Sequence, residues 1–571
     1  MTVSKQTMKG KVLLLSWMTM GSLSVHGITD SELNDIRDNP LLNPSKQQEL
    51  VLPKAPIKPK AEVAPITTSD ETDAEAKKEK GPTFALKAVR FSESVYLTKE
   101  DLKTVVGPLL NQQMSFADLQ ELTFKIGELY RQKGVYTATA VLPHQKIKDG
   151  IVYIKLVEGS LGKLSIQDHE YSEEQFIRNW LRNDEQVSGI DIKVLEEDVL
   201  LFNRINDQRL QAELHAGEQF GLTDIVIRVV EPKRDQLYLF WDNYGVDGTG
   251  KNELGVMYVR QKLLLDGDKA TIHALHTGNT NLDFKKDWDF FRNETGIVSL
   301  NLGYNAPIKQ SRWRLGSTLS STHTDLINGD FDDIGVKGQS DRISIDASWL
   351  AYSDLLQWVD VVVGADHTWS KSEVVGAADI SDLKINQYYF GAQVNWLSQL
   401  WQLNFRQVVH YAYVDDQLLP DDQEAFLAKG DLSFIAQYPK YNIYGLVKGQ
   451  WQNASENGLV GSLSYSLGGP SNVRGYAPGL VSGDEGYYYN LEAHYNGLSA
   501  YGYNFDLYAF HDQGVVTSAN PTEKLVAVGL GLSISGGSML SFDLTASESQ
   551  KIVTEDDSDV LVYGRLTCQC W

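Results

Sequence analysis

The sequence predicts two small α+β units followed by an all-β transmembrane barrel of about sixteen antiparallel strands. Three observations carry this. From about Asp235 to Trp571 hydrophobic residues recur with period two; between residues 84 and 232 a β-α-α-β-β pattern occurs twice; and the chain opens on a secretory signal.

The signal is read over residues 1–27. Lys5, Lys9 and Lys11 precede an apolar run from Val12 to Leu23, and Val25-His26-Gly27 offers small residues ahead of a cleavage point before Ile28. The run is short for a membrane span. Residues 28–83 read as a linker, because Pro40, Pro44, Pro53, Pro56, Pro59 and Pro65 interrupt every helical pattern and Thr67 to Lys80 is almost wholly polar. Asp30 to Asn39 is the main helical candidate there, kept short by Pro40. Beyond the signal, no stretch is apolar for long enough to cross a bilayer as a helix.

Residues 84–158 form the first α/β unit. Phe84 to Phe91 has strand character. Thr98-Lys99-Glu100-Asp101 and Ser115-Phe116-Ala117-Asp118 each set a hydroxyl three residues before a carboxylate, which marks two helix starts. Leu119, Leu122, Ile126 and Leu129 share one helical face and read as core. Thr137 to Leu142 and Ile151 to Val157 supply two further strands. Residues 159–232 repeat the order: a strand near Leu161 to Ile166, a helix opened by Ser172-Glu173-Glu174-Gln175, a second helix over Leu195 to Ile205, and strands at Arg209 to Leu214 and Thr223 to Val230.

The barrel is assigned to residues 233–571. Ile343, Ile345, Ala347 and Trp349, or Val526, Val528, Leu530 and Leu532, alternate with polar or small residues. A soluble sandwich alternates in the same way. The signal, the polar opposing faces and the abundant aromatics favour a spanning sheet, which must close because a bilayer forbids open edges. At about 20 residues per strand and connection, the length gives on the order of sixteen strands. Short turns such as Asp266-Gly267-Asp268 and Ser535-Gly536-Gly537-Ser538 are expected to face the periplasm, and the acidic loops to face outward. Trp571 supplies a terminal aromatic for the barrel-assembly machinery, but Arg565, Thr567 and Gln569 make one face of the last strand polar, which leaves its register open. The net charge of −23 argues against a nucleic-acid partner. With only 2 cysteines, Cys568 and Cys570, there is no disulfide framework. Two residues apart on a strand, they are poorly placed for an unstrained bridge, and free thiols are expected.

One loop stands out. Leu467-Gly468-Gly469-Pro470-Ser471-Asn472-Val473-Arg474-Gly475-Tyr476 puts a single arginine in a glycine-flexed segment, and a sequestered guanidinium needs a carboxylate to match its donor fork. Phe510-His511-Asp512-Gln513-Gly514 offers one. Alternation from Asn504 to Asp512 places Asp506, Tyr508, Phe510 and Asp512 on the luminal face, with Phe505, Leu507 and Ala509 towards lipid.

These two motifs, extended by Gly449-Gln450-Trp451, Gly483 to Tyr488 and Asn490-Leu491-Glu492, resemble the two-partner secretion transporters of the ShlB/FhaC/HecB family, in the superfamily of outer-membrane barrels that move or insert polypeptides. The β-α-α-β-β units resemble polypeptide-transport-associated (POTRA) domains. Tyr130, Gly134, Leu142-Pro143-His144-Gln145, Gly150 and Val157-Glu158-Gly159 match the form found in this family, and Asp242 to Gly245 with Thr249-Gly250 match its first barrel hairpin. The resemblance implies Val473, Arg474, Gly475, Tyr476, Phe510, Asp512 and Gly514 as a functional loop and its partner, with a barrel in the Gram-negative outer membrane and its POTRA domains in the periplasm. It also implies one dedicated exoprotein, such as an adhesin, haemolysin or contact-dependent toxin, and contact with lipid and lipopolysaccharide. A helix ahead of the linker that plugs the pore is a further family feature, for which Asp30 to Asn39 is the candidate.

No cofactor, metal or catalytic constellation is expected: there is no His-Glu-x-x-His, Gly-x-Ser-x-Gly or Gly-x-x-x-x-Gly-Lys motif, and the histidines are scattered. The competing readings are a barrel-assembly factor, which usually carries more POTRA units than two, and a passive porin or adhesion barrel, which requires none.

Overall fold

The computed structural model describes residues 66–68 and 83–570, apart from 134, 136–137, 159, 183–191, 219–221, 279–294, 329–334, 377, 420–421, 519–521, 537–538 and 552–559. The signal, the helical candidate at Asp30 to Asn39, Gly134, Gly159, the tip of the 535–538 turn and Trp571 therefore lie outside the described residues.

A three-residue strand, β1 (Ile66–Thr68), comes first, and β2 (Phe84–Ala85) and β3 (Ala88–Phe91) open the first unit. The single strand expected from Phe84 to Phe91 is split because Leu86 turns fully into the core and Lys87 and Ala88 donate to the Gly150 carbonyl instead. Both capping boxes form. Thr98 and Asp101 cap α1 (Lys99–Val106), and after β4 (Gln113–Met114) Ser115 and Asp118 cap α2 (Phe116–Gln132). β5 (Thr139–Val141) and β6 (Ile151–Val157) complete a sheet in the order β3-β6-β5, on which α2 packs through Leu119, Leu122, Ile126 and the fully buried Tyr130.

The second unit runs β7 (Ser160–Gln167), α3 (Glu174–Arg178), α4 (Ile192–Ile205), β8 (Arg209–Ala216) and β9 (Leu222–Val230). Its sheet order is β1-β8-β9-β7, so β1 lies along one edge. Helix α3 starts one residue later than a Ser172 cap would place it: Glu173 is the N-cap, and the Ser172 hydroxyl accepts from Gln208 instead.

From Asp235 the chain forms a closed barrel of sixteen antiparallel strands, shut by pairing of the first strand (Asp235–Asp242) with the last (Val560–Gln569). The register open in the sequence is thereby fixed. Arg565 sits opposite Asp242, Tyr563 is buried and Arg565 points inward, while Val560, Val562 and Leu566 are exposed towards lipid. The polar face of this strand is its luminal face. Exposed aromatics gather beside the short turns: Trp313 stacks on Trp349, Trp396 meets Trp401 edge-on, and Tyr438, Tyr441, Tyr501 and Tyr503 are exposed nearby, as an interfacial girdle requires.

These turns also receive the second unit. The Arg204 guanidinium lies 3.8 Å over the Trp358 ring and donates to the Asp354 and Leu355 carbonyls, each at 3.2 Å. Leu350 of the barrel belongs to the hydrophobic core of this unit, and Lys262 donates to the Tyr171 carbonyl at 3.0 Å. Lys269 pairs with Asp207 at 2.8 Å. Apolar, stacked and ionic contacts thus join the unit to the short-turn rim of the barrel.

Candidate functional site

The long connection between the barrel strands Ile443–Ala454 and Glu485–Ala500 starts at the end away from the α/β units and folds back into the lumen. It includes a short hairpin, Tyr465–Leu467 paired with Val481–Gly483, from which the segment 468–480 projects. Gly468 and Gly469 have φ of +112° and +97°, a backbone region that residues with a Cβ rarely enter, and they turn the chain inward. Asn472 fixes the next turn by accepting from Gly468 N at 2.7 Å and Val473 N at 2.6 Å.

Arg474 is thereby delivered onto the barrel wall. Its Nε donates to Asp512 Oδ2 and its Nη2 to Asp512 Oδ1, both at 2.7 Å, and its backbone N–H reaches Asp512 Oδ2 at 3.1 Å. The guanidinium lies 3.5 Å above the Phe510 ring, and Asp512 is completely buried. Phe510 and Asp512 share the luminal face of the strand Tyr503–Thr517, while the lipid-facing Leu507 is exposed.

A second carboxylate completes the clasp: Glu492 Oε1 lies 2.8 Å from Arg474 Nη2. In the sequence Glu492 stands out only as the last residue of the motif Asn490-Leu491-Glu492. Its alternation on the neighbouring strand, together with Asn490 and His494, was the available signal that it faces the lumen. His494 links onward, 3.0 Å from Glu492 Oε2 and 3.1 Å from Asp506 Oδ1, between the rings of Tyr444 and Tyr508.

Tyr476, fully buried, pins the other side of the loop. Its hydroxyl is 2.9 Å from the Val526 and Lys551 carbonyls, and Tyr563, also missed in the sequence, bridges Gly475 N and the Tyr476 carbonyl. Gly475 has φ of +87°, and a Cβ there would meet Ser547 Oγ at 2.9 Å. Gly514 lies beneath Leu467 and Val473, where a Cβ would come within 2.6 and 2.9 Å of their methyls. All seven loop and partner residues singled out in the sequence therefore meet at one place.

The residues singled out in the first unit do not join this site. Tyr130 donates to Glu158 Oε1 at 2.9 Å, and Glu158 also accepts from Val95 N, Tyr96 N and Ser94 Oγ, tying the loop before α1 to the end of β6. The Gln145 amide pairs with both main-chain groups of Tyr153, at 2.7 and 2.8 Å, as a strand neighbour would. Leu142 packs against the core, and Pro143 accepts a hydrogen bond from Gln145.

At the end of the barrel, Cys568 and Cys570 are free cysteines with their sulfurs side by side. Among the described residues, no group of three or more His, Cys, Asp or Glu is placed to hold a metal ion.

A closed sixteen-strand barrel, α/β units at its periplasmic rim and an arginine-bearing loop clasped inside the lumen define an outer-membrane polypeptide transporter. Residues 221–536 match the family described as haemolysin secretion/activation protein ShlB/FhaC/HecB, and residues 84–159 match the POTRA domain of ShlB type. The chain belongs to the ShlB/FhaC/HecB family. It is 24% identical over 542 residues to the heme/hemopexin transporter protein HuxB of Haemophilus influenzae, covering 90% of this chain and 91% of that one. It is also 24% identical over 428 residues to the outer membrane transporter CdiB of Dickeya dadantii, covering 72% of each. Among solved structures, CdiB from Escherichia coli shares the fold with a TM-score of 0.62 at 18% identity, over 95% of this chain and 100% of that one. The protein is an outer-membrane two-partner secretion transporter that exports a secreted exoprotein, with its POTRA domains in the periplasm.

Proposed function

We propose that the exoprotein passes through the barrel lumen as an unfolded chain, that residues 84–158 and 159–232 act as two POTRA domains receiving it, and that the Arg474 loop is the luminal element whose seating governs passage. The single observation that supports this most is the bidentate bond from Arg474 to the fully buried Asp512. A loop that starts at the outer end of the barrel and is clasped to the inner wall occupies space that a transiting chain needs. A barrel of sixteen strands encloses more room than its own side chains fill, so a seated loop limits leakage.

The cargo is a large β-helical exoprotein, of adhesin, haemolysin or contact-dependent toxin type. Net movement follows from its progressive folding outside, and the transporter supplies no enzymatic step. The exposed apolar belt contacts lipid and lipopolysaccharide, and the barrel assembly machinery inserts the chain.

The test co-produces the transporter with an exoprotein that carries a secretion domain and is encoded beside it. Deleting residues 84–232 should abolish surface display while the barrel still inserts. Normal display after the deletion would refute the receiving role. A barrel-assembly function predicts instead that loss of the chain depletes other outer-membrane barrels and leaves the exoprotein at the surface.

A further inference from the structure

The outer wall of the barrel carries two recesses, one above the other, on the same strip of strands. The upper one, about 460 Å³, lies at the end away from the α/β units and crosses five strands, from Thr295–Pro307 to Ala378–Leu397. The lower one, about 810 Å³, is an almost wholly apolar groove centred on the strands Val336–Ser353 and Gln357–Val374.

Strand register joins the two. On the outward face, residue pairs run from Gln339 opposite Lys371, through Asp341 opposite Trp369 and Ile343 opposite His367, to Ile345 opposite Ala365 and Ala347 opposite Val363. Ile343, Ile345, Val363 and Trp369 are exposed, which identifies this face as the one towards lipid. Its chemistry changes along the strands from charged, through one tryptophan, to apolar. Trp369 marks the level of the change. From Trp349, in the girdle beside the short turns, to Asp341, the neighbour of Trp369, is eight residues. That is about 26 Å of strand and about 20 Å of height at a 40° tilt, close to the roughly 25 Å of an outer-membrane apolar belt. Trp369 therefore stands in the outer girdle, and the upper recess lies at the headgroup level of the outer leaflet.

Below Trp369, Ala347 and Ala365 give the groove a floor of methyl groups. Leu315 opposite Ala347 and Tyr388 opposite Ala365 wall it on either side. Above, the recess is lined by Lys337 and Lys371 together with Asp325, Asp341, Glu373 and Asp382. Lys337 lies 3.3 Å from Asp325 and Lys371 3.0 Å from Asp379, and an ammonium group has three donors, so each keeps donors for an anion. Four carboxylates against two ammonium groups repel a bare phosphate, whereas a phosphate that arrives with divalent cations finds partners of both signs. The recess spans four inter-strand spacings, about 19 Å, which is wide for one phosphodiester headgroup and matches a phosphorylated disaccharide.

We propose that this strip is a binding site for the phosphorylated glycolipid of the outer leaflet: its acyl chains lie in the groove floored by Ala347 and Ala365, and its phosphates, with their divalent counter-ions, lie in the recess at Lys337 and Lys371. The proposal rests on the reading that the exposed belt meets lipid and lipopolysaccharide, and it gives that contact one address on the wall.

The test uses the full-length transporter extracted from outer membranes in mild detergent. Retained lipopolysaccharide and phospholipid are measured by mass spectrometry of their fatty acids, with assembly checked by heat-modifiable migration. The unaltered chain should retain lipopolysaccharide, and a divalent chelator should release it. Lys337→Glu with Lys371→Glu should lower retention about tenfold, and Lys337→Arg with Lys371→Arg should preserve it. Lys524→Glu, at an exposed position at the outer end of the far wall, should leave it unchanged. Ala365→Trp, which fills the groove, should lower it. Retention unaffected by the glutamate pair or by Ala365→Trp, or lowered equally by Lys524→Glu, overturns the proposal, as does retention of phospholipid alone or indifference to the chelator. If the glutamate pair does not assemble, a photo-reactive amino acid at Trp369 in the otherwise native chain decides: cross-linking to lipopolysaccharide no stronger than from position 524 overturns the proposal. Failure of the underlying reading looks different, because lipopolysaccharide would then be missing from the unaltered chain and from every variant although the barrel assembles.

Discussion

The Arg474 clasp makes an asymmetric prediction. Arg474→Ala removes the only cation in contact with both Asp512 and Glu492 among the described residues: the completely buried Asp512 loses its counter-charge, while Glu492 keeps His494 at 3.0 Å. Leaving buried charge uncompensated costs about 3–5 kcal/mol. Asp512→Ala removes two side-chain bonds and the acceptor for Arg474 N, yet the guanidinium keeps Glu492 at 2.8 Å and the Phe510 face. That loss is nearer the value of charge-assisted hydrogen bonds, about 1.5–3 kcal/mol. The order expected is Arg474→Ala worse than Asp512→Ala, with Glu492→Ala milder still because Asp512 retains the bidentate bond. The Arg474→Ala, Asp512→Ala double variant should be less impaired than the sum of the singles, since each single already breaks the shared bond. Loop seating is read by planar-bilayer conductance and by surface display of the exoprotein, with barrel assembly checked by heat-modifiable migration. Additive losses would refute the pairing as the operative contact. Equal effects of Arg474→Ala and Asp512→Ala would refute the two-carboxylate account.

The remaining predictions concern other contacts. Gly475→Ala should unseat the loop and raise conductance without preventing assembly, since it imposes a Cβ at φ +87° and 2.9 Å from Ser547 Oγ; unchanged conductance would show that the loop can shift to accept it. Burial pushes the Glu158 carboxyl up, but hydrogen bonds from Ser94, Val95, Tyr130 and Tyr96 outweigh this and hold it below its ordinary 4.5. A depressed folded-state pKa gives stability that is present above 4.5 and lost as pH falls through the lower folded value. Glu158→Gln should therefore flatten acid unfolding of the first unit below pH 4.5, as followed by hydrogen exchange of β6; an unchanged profile would remove Glu158 from the cause. Arg565→Ala should weaken barrel closure by about 3–5 kcal/mol, because Asp242 is fully buried and loses its partner across the first and last strands. The readout is a lower denaturant midpoint for loss of heat-modifiable migration, and an unchanged midpoint would refute it.

The barrel was legible in the sequence because lipid on one side and a polar lumen on the other impose period two on nearly every strand. The helices of the first unit were legible because Thr98 with Asp101 and Ser115 with Asp118 are local signals, complete within four residues. What escaped notice depends on contacts between distant segments. Glu492 and Tyr563 reach Arg474 and Tyr476 only through strand register, and register is set by pairing along the whole barrel. The last strand shows the same limit from the other direction. Arg565 made its face look anomalous until Asp242, more than 300 residues earlier, was placed opposite it. β1 escaped for a further reason: three β-branched residues among prolines and charges are too few to signal a strand, and only the β8 edge makes them one.

These contacts divide the molecule into parts that can and cannot move independently. The second unit shares Leu350 with its own core and stacks Arg204 on Trp358, so displacing it from the rim would expose apolar surface and break ion pairs together. The Arg474 loop is held differently. It is clasped by one guanidinium, the hydroxyls of Tyr476 and Tyr563 and a small apolar cluster around Leu467, Val473 and Tyr476, all within a lumen whose walls are largely polar. Polar clasps can be exchanged: an entering polypeptide carries main-chain donors and acceptors that can take over the bonds of Tyr476, and water admitted with it weakens the Arg474 pair by raising the local dielectric. The rim joint offers no comparable substitute for Leu350 or Trp358. The loop in the lumen is therefore held by contacts that can change partners, whereas the second unit is fixed at the rim by contacts that cannot.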